Sequence, residues 1–205
     1  STLLRGRAEF IESGDSMSKV EILSILTRLR LAANHPMLIS DTVTEAEESG
    51  KIQILHELIE DIREEGGRVL IFSQFVKMLK IIEQSVKSKK IPYLYMDGST
   101  ENRQELVDRF NSGEGELFLL SLKVGGHGLN IPTADNVIIV DPWWNPAVEE
   151  QAFSRAHRMG QTRQVFVSKL YSLETIEEKI LAIQQSKKEL ADFISSKSIS
   201  EPSRD

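Results

Sequence analysis

Arg68 to Met96 reads RVLIFSQFVKMLKIIEQSVKSKKIPYLYM. Its opening, Arg68 to Ser73, is a short apolar run of strand type. Phe75 to Lys87 then takes helical spacing, and Tyr93 to Met96 returns to strand. The same alternation extends on both sides. Upstream, Ile52 to Arg63 is amphipathic and helical, and Gly66-Gly67 ends it. Downstream, Thr100 to Phe110 is predicted as a helix, with Thr100 three residues ahead of Arg103 as its cap. Leu117 to Leu122, Val137 to Val140 and Val165 to Leu170 supply three more strands. Pro146 to Met159 is predicted as a helix, and Glu174 to Ile194 as a long closing one. Apolar strands alternating with helices imply an α/β fold, a parallel sheet covered by helices on both faces. The working loops of such a sheet gather at the carboxyl ends of its strands.

Ahead of this unit, apolar residues between Ser16 and Ala33 recur mostly three and four apart, and Pro36 stops the pattern. Asp41 to Gly50 is polar, acidic and unpatterned, as in an exposed connector. The chain therefore divides into linker helices and connector (1–48), an α/β lobe (49–172), a closing brace helix (173–196) and a loose tail (197–205). Its 205 residues, 40% hydrophobic and 27% charged, suffice for a sizeable core. No apolar run approaches the ~18–20 residues of a membrane span, and Ser1 to Phe10 lacks the apolar stretch of a signal peptide. With no cysteine there is no disulfide framework and no thiolate metal site. A net charge of −6 argues against a chain-wide grip on nucleic acid but leaves room for a local one.

Gln151 to Arg163, QAFSRAHRMGQTR, carries the sharpest chemistry. On a helix, offsets of four and seven residues bring Arg155 and Arg158 within about 40° of Gln151. One stripe thus presents an amide and two guanidiniums. Guanidiniums match phosphate oxygens bidentately and stay charged, which suits phosphoryl transfer. On an arbitrary helix the same arginines would simply pair with Glu149 or Glu150.

Taken in order, four segments set that stripe in context. They are VLIFSQF (Val69–Phe75), YLYMDGSTENRQELVDRFN (Tyr93–Asn111), LFLLSLKVGGHGLNIPTADNVIIVDPWWNP (Leu117–Pro146) and QAFSRAHRMGQTRQV (Gln151–Val165). Together they resemble the C-terminal RecA-like lobe of superfamily 2 helicases, specifically the SWI/SNF-type DNA translocases. LRLAANHP (Leu29–Pro36) is similar to that family's linker between lobes, and SGKIQIL (Ser49–Leu55) to the start of the second lobe. The stretch from Val167 to Leu190 is similar to its last strand and brace helix.

The resemblance implies a RecA-like parallel sheet with an N-terminal linker helix and a long C-terminal helix. It implies catalytic roles for Arg155 and Arg158, acting on ATP bound between two lobes. Nucleotide contacts would come from Gly126, Gly128, Asn130, Gln151, Arg155 and Arg158. The Gly125–Gly128 loop also reads as a plain turn between strands, and His127 stands where the family usually has threonine. DNA contacts would come from strand-end groups Ser73, Gln74, Ser121 and Lys123, and from Trp144 and Asn145. Trp143 reads equally as a core cap, Asn145 as a turn residue, and Asp97-Gly98-Ser99 as a turn and helix cap. Lys77, Lys80, Lys87, Lys89 and Lys90 form a basic face that reads first as a solvated helix side.

No G-x-x-x-x-G-K-[ST] run occurs in these residues. ATP and Mg²⁺ are thus expected to be held mainly by a first lobe, and this chain alone is expected to be inactive. No metal ligands of its own are predicted. The partners implied are double-stranded DNA, an N-terminal RecA-like lobe of the same parent chain and DNA-bound proteins, without a membrane. The setting is intracellular, a eukaryotic nucleus or a bacterial or archaeal cytoplasm. The alternative is a non-catalytic lobe that binds DNA or protein without ATP-driven work.

Overall fold

A computed structural model describes residues 18–40, 49–125, 129–154 and 164–198. The chain runs α1 (Lys19–Asn34), a 3-10 turn (Pro36–Leu38), α2 (Gly50–Glu64), β1 (Val69–Ser73), α3 (Val76–Ser88), β2 (Tyr93–Met96) and α4 (Arg103–Asn111). It continues with β3 (Leu117–Ser121), the single turn α5 (Leu122–Gly125), β4 (Asn136–Ile139), α6 (Pro146–Phe153), β5 (Phe166–Lys169) and α7 (Ile176–Ser198). The five strands form one sheet in the order β2-β3-β1-β4-β5, every pair parallel. This is the α/β sheet that the alternation predicts.

Both faces of the sheet are covered, which explains why its inner strands read as unbroken apolar runs. Val69, Ile71, Leu117, Leu119 and Ile138 point to one face and pack with Ile52, Leu55 and Ile59 of α2 and Met78, Leu79 and Ile82 of α3. Leu70, Phe72, Phe118, Leu120, Val137 and Ile139 point to the other, against Val107 and Phe110 of α4. The edge strand β5 is barer, with Phe166 and Val167 exposed.

Local chemistry sets the boundaries. Ser18 caps α1 reciprocally: its hydroxyl takes the Glu21 amide at 3.3 Å, and its own amide donates to Glu21 Oε2 at 2.8 Å. Between α2 and β1, Gly66 turns the chain through a left-handed φ of +71°. Ser49 is buried and Gly50 already helical, so the connector ends two residues earlier than the composition suggests.

The α4 start also differs. Thr100 is no cap, because its Oγ1 accepts the Asp97 amide at 3.0 Å, and the helix begins only at Arg103. Asp97 in turn holds the Ser99 amide and hydroxyl at 2.9 and 2.6 Å, so Asp97-Gly98-Ser99 is a side-chain-locked turn. The last helix starts at Ile176, two residues late, since Glu174 takes a left-handed φ of +57° and Thr175 Oγ1 accepts the Glu177 amide. It runs to Ser198, into the stretch expected as tail. The predicted Pro146–Met159 helix is α6 through Phe153, Ser154 follows as a turn, and residues 155–159 lie outside the described residues.

Candidate nucleotide and nucleic-acid interface

The strand order brings three carboxyl ends together: β3, β1 and β4 are neighbours, and the chain crosses over β1 between β3 and β4. Crevices beyond such ends are where open α/β sheets bind ligands. Ser73 and Gln74 leave β1 there, Ser121 and Lys123 leave β3, and Asp141 to Asn145 follow β4.

These side chains do not all face outward. Ser73 is buried, and its hydroxyl donates to Asp141 Oδ2 in a short bond and accepts the Phe75 amide at 3.1 Å. The Gln74 amide donates to Asp141 Oδ1 at 3.0 Å. Ser121 is also buried, its hydroxyl without a partner among the described residues. The rim is thus presented by Gln74 (half-buried), Lys123 and Asn145 (exposed) and Trp144 (half-buried), with Ser73 and Ser121 behind it. Asn145 Oδ1 accepts the Ala147 amide at 3.2 Å and so closes the turn into α6. Trp143 packs on the core that covers the second face of the sheet. Gln151 is exposed on α6, and Asn130 is exposed, its carbonyl accepting from Asn111 Nδ2 at 3.0 Å. Gly126, Gly128, Arg155 and Arg158 lie outside the described residues.

Behind the rim stands a buried polar network that sequence reasoning missed. Asp141 is 1% exposed, and burial pushes its carboxyl up. The Ser73 hydroxyl, the Gln74 amide and the charges of Lys51 and Arg30 oppose that push. Arg30 of α1 is 4% exposed. It donates to the Pro142 carbonyl at 2.8 Å, and its guanidinium carbon lies 5.1, 5.0 and 5.9 Å from the rings of Phe75, Trp143 and Trp144. Burial draws its pKa down, against the pull of Asp141. Glu149 of α6 is fully buried and accepts from the Trp143 amide at 2.7 Å, Gln184 Nε2 at 2.8 Å and Lys169 Nζ in a short ion pair. It is an internal anchor rather than a surface partner for arginines.

Signals for this network were present. Arg30, Lys51 and Asp141 fall inside the quoted LRLAANHP, SGKIQIL and DPWWNP segments. Their polar character suggested exposure, however, and only the packing of α1 and α7 shows them to be internal.

As to the nucleotide, the described residues offer two exposed amides, Gln151 and Asn130. They fit the periphery of a nucleotide site. Among the described residues no group of three or more His, Asp or Glu could hold a metal ion. None of the described helices is long and apolar enough to cross a membrane.

The helicase conserved C-terminal domain family matches residues 50–160. The ATP-dependent helicase fft2 of Schizosaccharomyces pombe is 43% identical over 182 residues, 86% of this chain and 14% of that protein. The human SWI/SNF-related matrix-associated actin-dependent regulator of chromatin subfamily A member 1 is 38% identical over 186 residues, 84% of this chain and 18% of that one. The chain thus spans less than a fifth of either relative. A crystal structure of the C-terminal part of the Fun30 ATPase domain aligns at a TM-score of 0.67 with 34% identity, covering 85% of this chain and 59% of that one. On the fold, the shared segments and these matches together, the chain belongs to the helicase conserved C-terminal domain family, as the C-terminal RecA-like lobe of its SWI/SNF-type members.

Proposed function

We propose that this lobe is the second half of an ATP-dependent motor that tracks along double-stranded DNA. ATP and Mg²⁺ sit between it and an N-terminal RecA-like lobe of the same parent chain. That first lobe supplies the phosphate loop and metal site, and this one supplies Arg155 and Arg158. Their guanidiniums neutralise charge that develops on the γ-phosphoryl group, help typically worth ~10³–10⁵ in rate. Gly126, Gly128, Asn130 and Gln151 line the nucleotide's edge. Gln74, Lys123, Trp144 and Asn145 follow the DNA backbone, with Ser73 and Ser121 supporting them from behind. Lobe closure and opening then step these contacts along the duplex. The chromatin regulators among its relatives support a chromatin substrate and a nuclear setting.

One observation carries this reading. Adjacent strands β3, β1 and β4 deliver the DNA-facing candidates to a single rim, and α6, which springs from that rim, leads in sequence straight into Arg155 and Arg158. The test is Arg158→Ala in a two-lobed enzyme. DNA-stimulated kcat should fall by about 10³-fold or more. KM for ATP should move much less, because the charge acts mainly in the transition state. Arg158→Lys should rescue poorly, since a point charge lacks the planar fork. Near-full turnover by the folded Arg158→Ala enzyme would remove Arg158 from the reaction.

A further inference from the structure

Consecutive groups of the loop between β4 and α6 are pinned to four different elements. The Asp141 side chain is held at the end of β1 by Ser73 and the Gln74 amide. The Pro142 carbonyl takes Arg30 of α1 at 2.8 Å. The Trp143 amide donates to Glu149 of α6 at 2.7 Å, and its carbonyl accepts from Gln184 of α7 in a short bond. The Trp144 carbonyl accepts from Lys187 of α7 at 3.2 Å. Since α1 also packs against α7, these two helices hold the loop jointly.

Arg30 is the unusual member of that grip. Its Nε is buried and has no acceptor among the described residues. A hydrophobic side chain of similar volume would fill the space without the desolvation cost of a guanidinium. What the arginine adds is direction: one donor fixed on the Pro142 carbonyl, and a planar cation against Phe75 and both tryptophans. We propose that Arg30 is a positioning residue that sets the posture of the Trp143–Trp144 loop, so that a movement of the linker helix α1 is read at Trp144. In its DNA-facing part this rests on the function proposed above. Lobe movement would then reach the DNA contact through α1 as well as through the nucleotide.

Trp143 and Trp144 are the chain's only tryptophans, so tryptophan fluorescence of the 205-residue protein, excited selectively over its three tyrosines, reports on this loop alone. In Arg30→Lys the charge stays and the fork is lost. The emission should shift to longer wavelength, and acrylamide quenching should rise about twofold as the rings loosen. Ile59→Val, a core truncation on α2, should leave both unchanged although it lowers stability. Should Arg30→Lys fail to fold, Phe75→Leu takes one ring from the guanidinium and should shift emission the same way, by less. Unchanged emission and quenching in folded Arg30→Lys overturns the proposal, as it does in Phe75→Leu where that variant stands in.

A double-mutant cycle on a labelled duplex separates positioning from general destabilisation. Arg30→Lys should weaken binding about three- to tenfold in the native background and no further once Trp144→Ala is present. Equal loss in both backgrounds would show that Arg30 acts through the fold at large, and would overturn it. If the native chain binds no duplex, the DNA reading falls, and the fluorescence comparison alone decides the role of Arg30.

Discussion

Lys51 Nζ lies 2.7 Å from Glu177 Oε2, and the two side chains are 4% and 1% exposed. The same ammonium donates to Asn34 Oδ1 at 3.1 Å, and the same carboxylate takes the Ser172 amide at 2.8 Å. Ser172 Oγ closes the ring on the Ala33 carbonyl at 2.7 Å. Three stretches distant in sequence, the end of α1, the start of α2 and the approach to α7, thus meet on one ion pair. Burial pushes Glu177 up and Lys51 down, and each opposes the other's shift with its charge.

Removing one partner should therefore cost far more than removing both. Glu177→Ala leaves a buried ammonium without its counter-charge and should lower unfolding free energy by about 3–5 kcal/mol. Lys51→Met combined with Glu177→Leu should lie much closer to the native protein. Urea unfolding of the three proteins, compared at constant m-value, checks this. Equal losses in the single and double variants would contradict it.

Two glycines at the ends of α2 should respond in opposite directions. At Gly67 an added Cβ would meet Ile62 Cγ2 at 2.6 Å, Asn136 Nδ2 at 3.0 Å and the Ile62 carbonyl at 3.1 Å, so the chain enters β1 with no room for a methyl group. Gly67→Ala should destabilise by about 1–3 kcal/mol. At Gly50, the first residue of α2, nothing lies within 4 Å. Gly50→Ala should stabilise by about 0.4–1 kcal/mol by restricting the unfolded chain. Thermal melts of both variants against the native protein read the two signs.

These contrasts show what could be read in advance. The apolar runs Val69–Ser73 and Leu117–Ser121 announced buried parallel strands, because both of their faces are covered and nothing polar interrupts them. Strand order could not be read, since it depends on which crossover packs on which face. The rim was legible for the same reason as the strands: polar groups stand where apolar runs stop. Which of those groups face outward was not. Ser73 and Gln74 look alike in sequence, yet Ser73 is turned inward by Asp141, a carboxylate 68 residues away. That Arg30, Lys51 and Glu149 are internal could not be read, because charged residues suggest a surface until their partners are known.

Asp97 supplies a test in acid. The Ser99 hydroxyl and amide, the Tyr95 hydroxyl and the charge of Lys80 hold its carboxyl below the usual aspartate range, against the effect of burial. In the unfolded chain it titrates near the ordinary value of about 3.9. The unfolded state then binds more protons between the two values, so stability rises with pH across that window. The contribution is complete above pH ~4 and is lost as pH falls through the folded value. Carboxyl chemical shifts should place the Asp97 midpoint below that of an exposed aspartate, and Ser99→Ala should move it up. A midpoint insensitive to Ser99→Ala would show that the turn does not hold the charge.

The last expectation concerns DNA binding by the lobe alone. The chain carries a net charge of −6, and its proposed contact rim offers one lysine, Lys123, beside the neutral Gln74, Trp144 and Asn145. Such a rim can neutralise few phosphates, so binding to duplex should be weak and indifferent to sequence. The logarithm of the affinity should fall with the logarithm of salt concentration at a slope of about −0.9 per phosphate neutralised. For this rim the total slope should be shallow. Lys123→Ala should make it shallower by about one such contact, whereas Trp144→Ala should weaken binding at every salt concentration and leave the slope unchanged, because a ring contact releases no counterion. Titrations of a labelled duplex at several salt concentrations separate the two behaviours. Tight binding that depends on duplex sequence would instead require base-reading groups in a groove, and would refute the backbone-following rim.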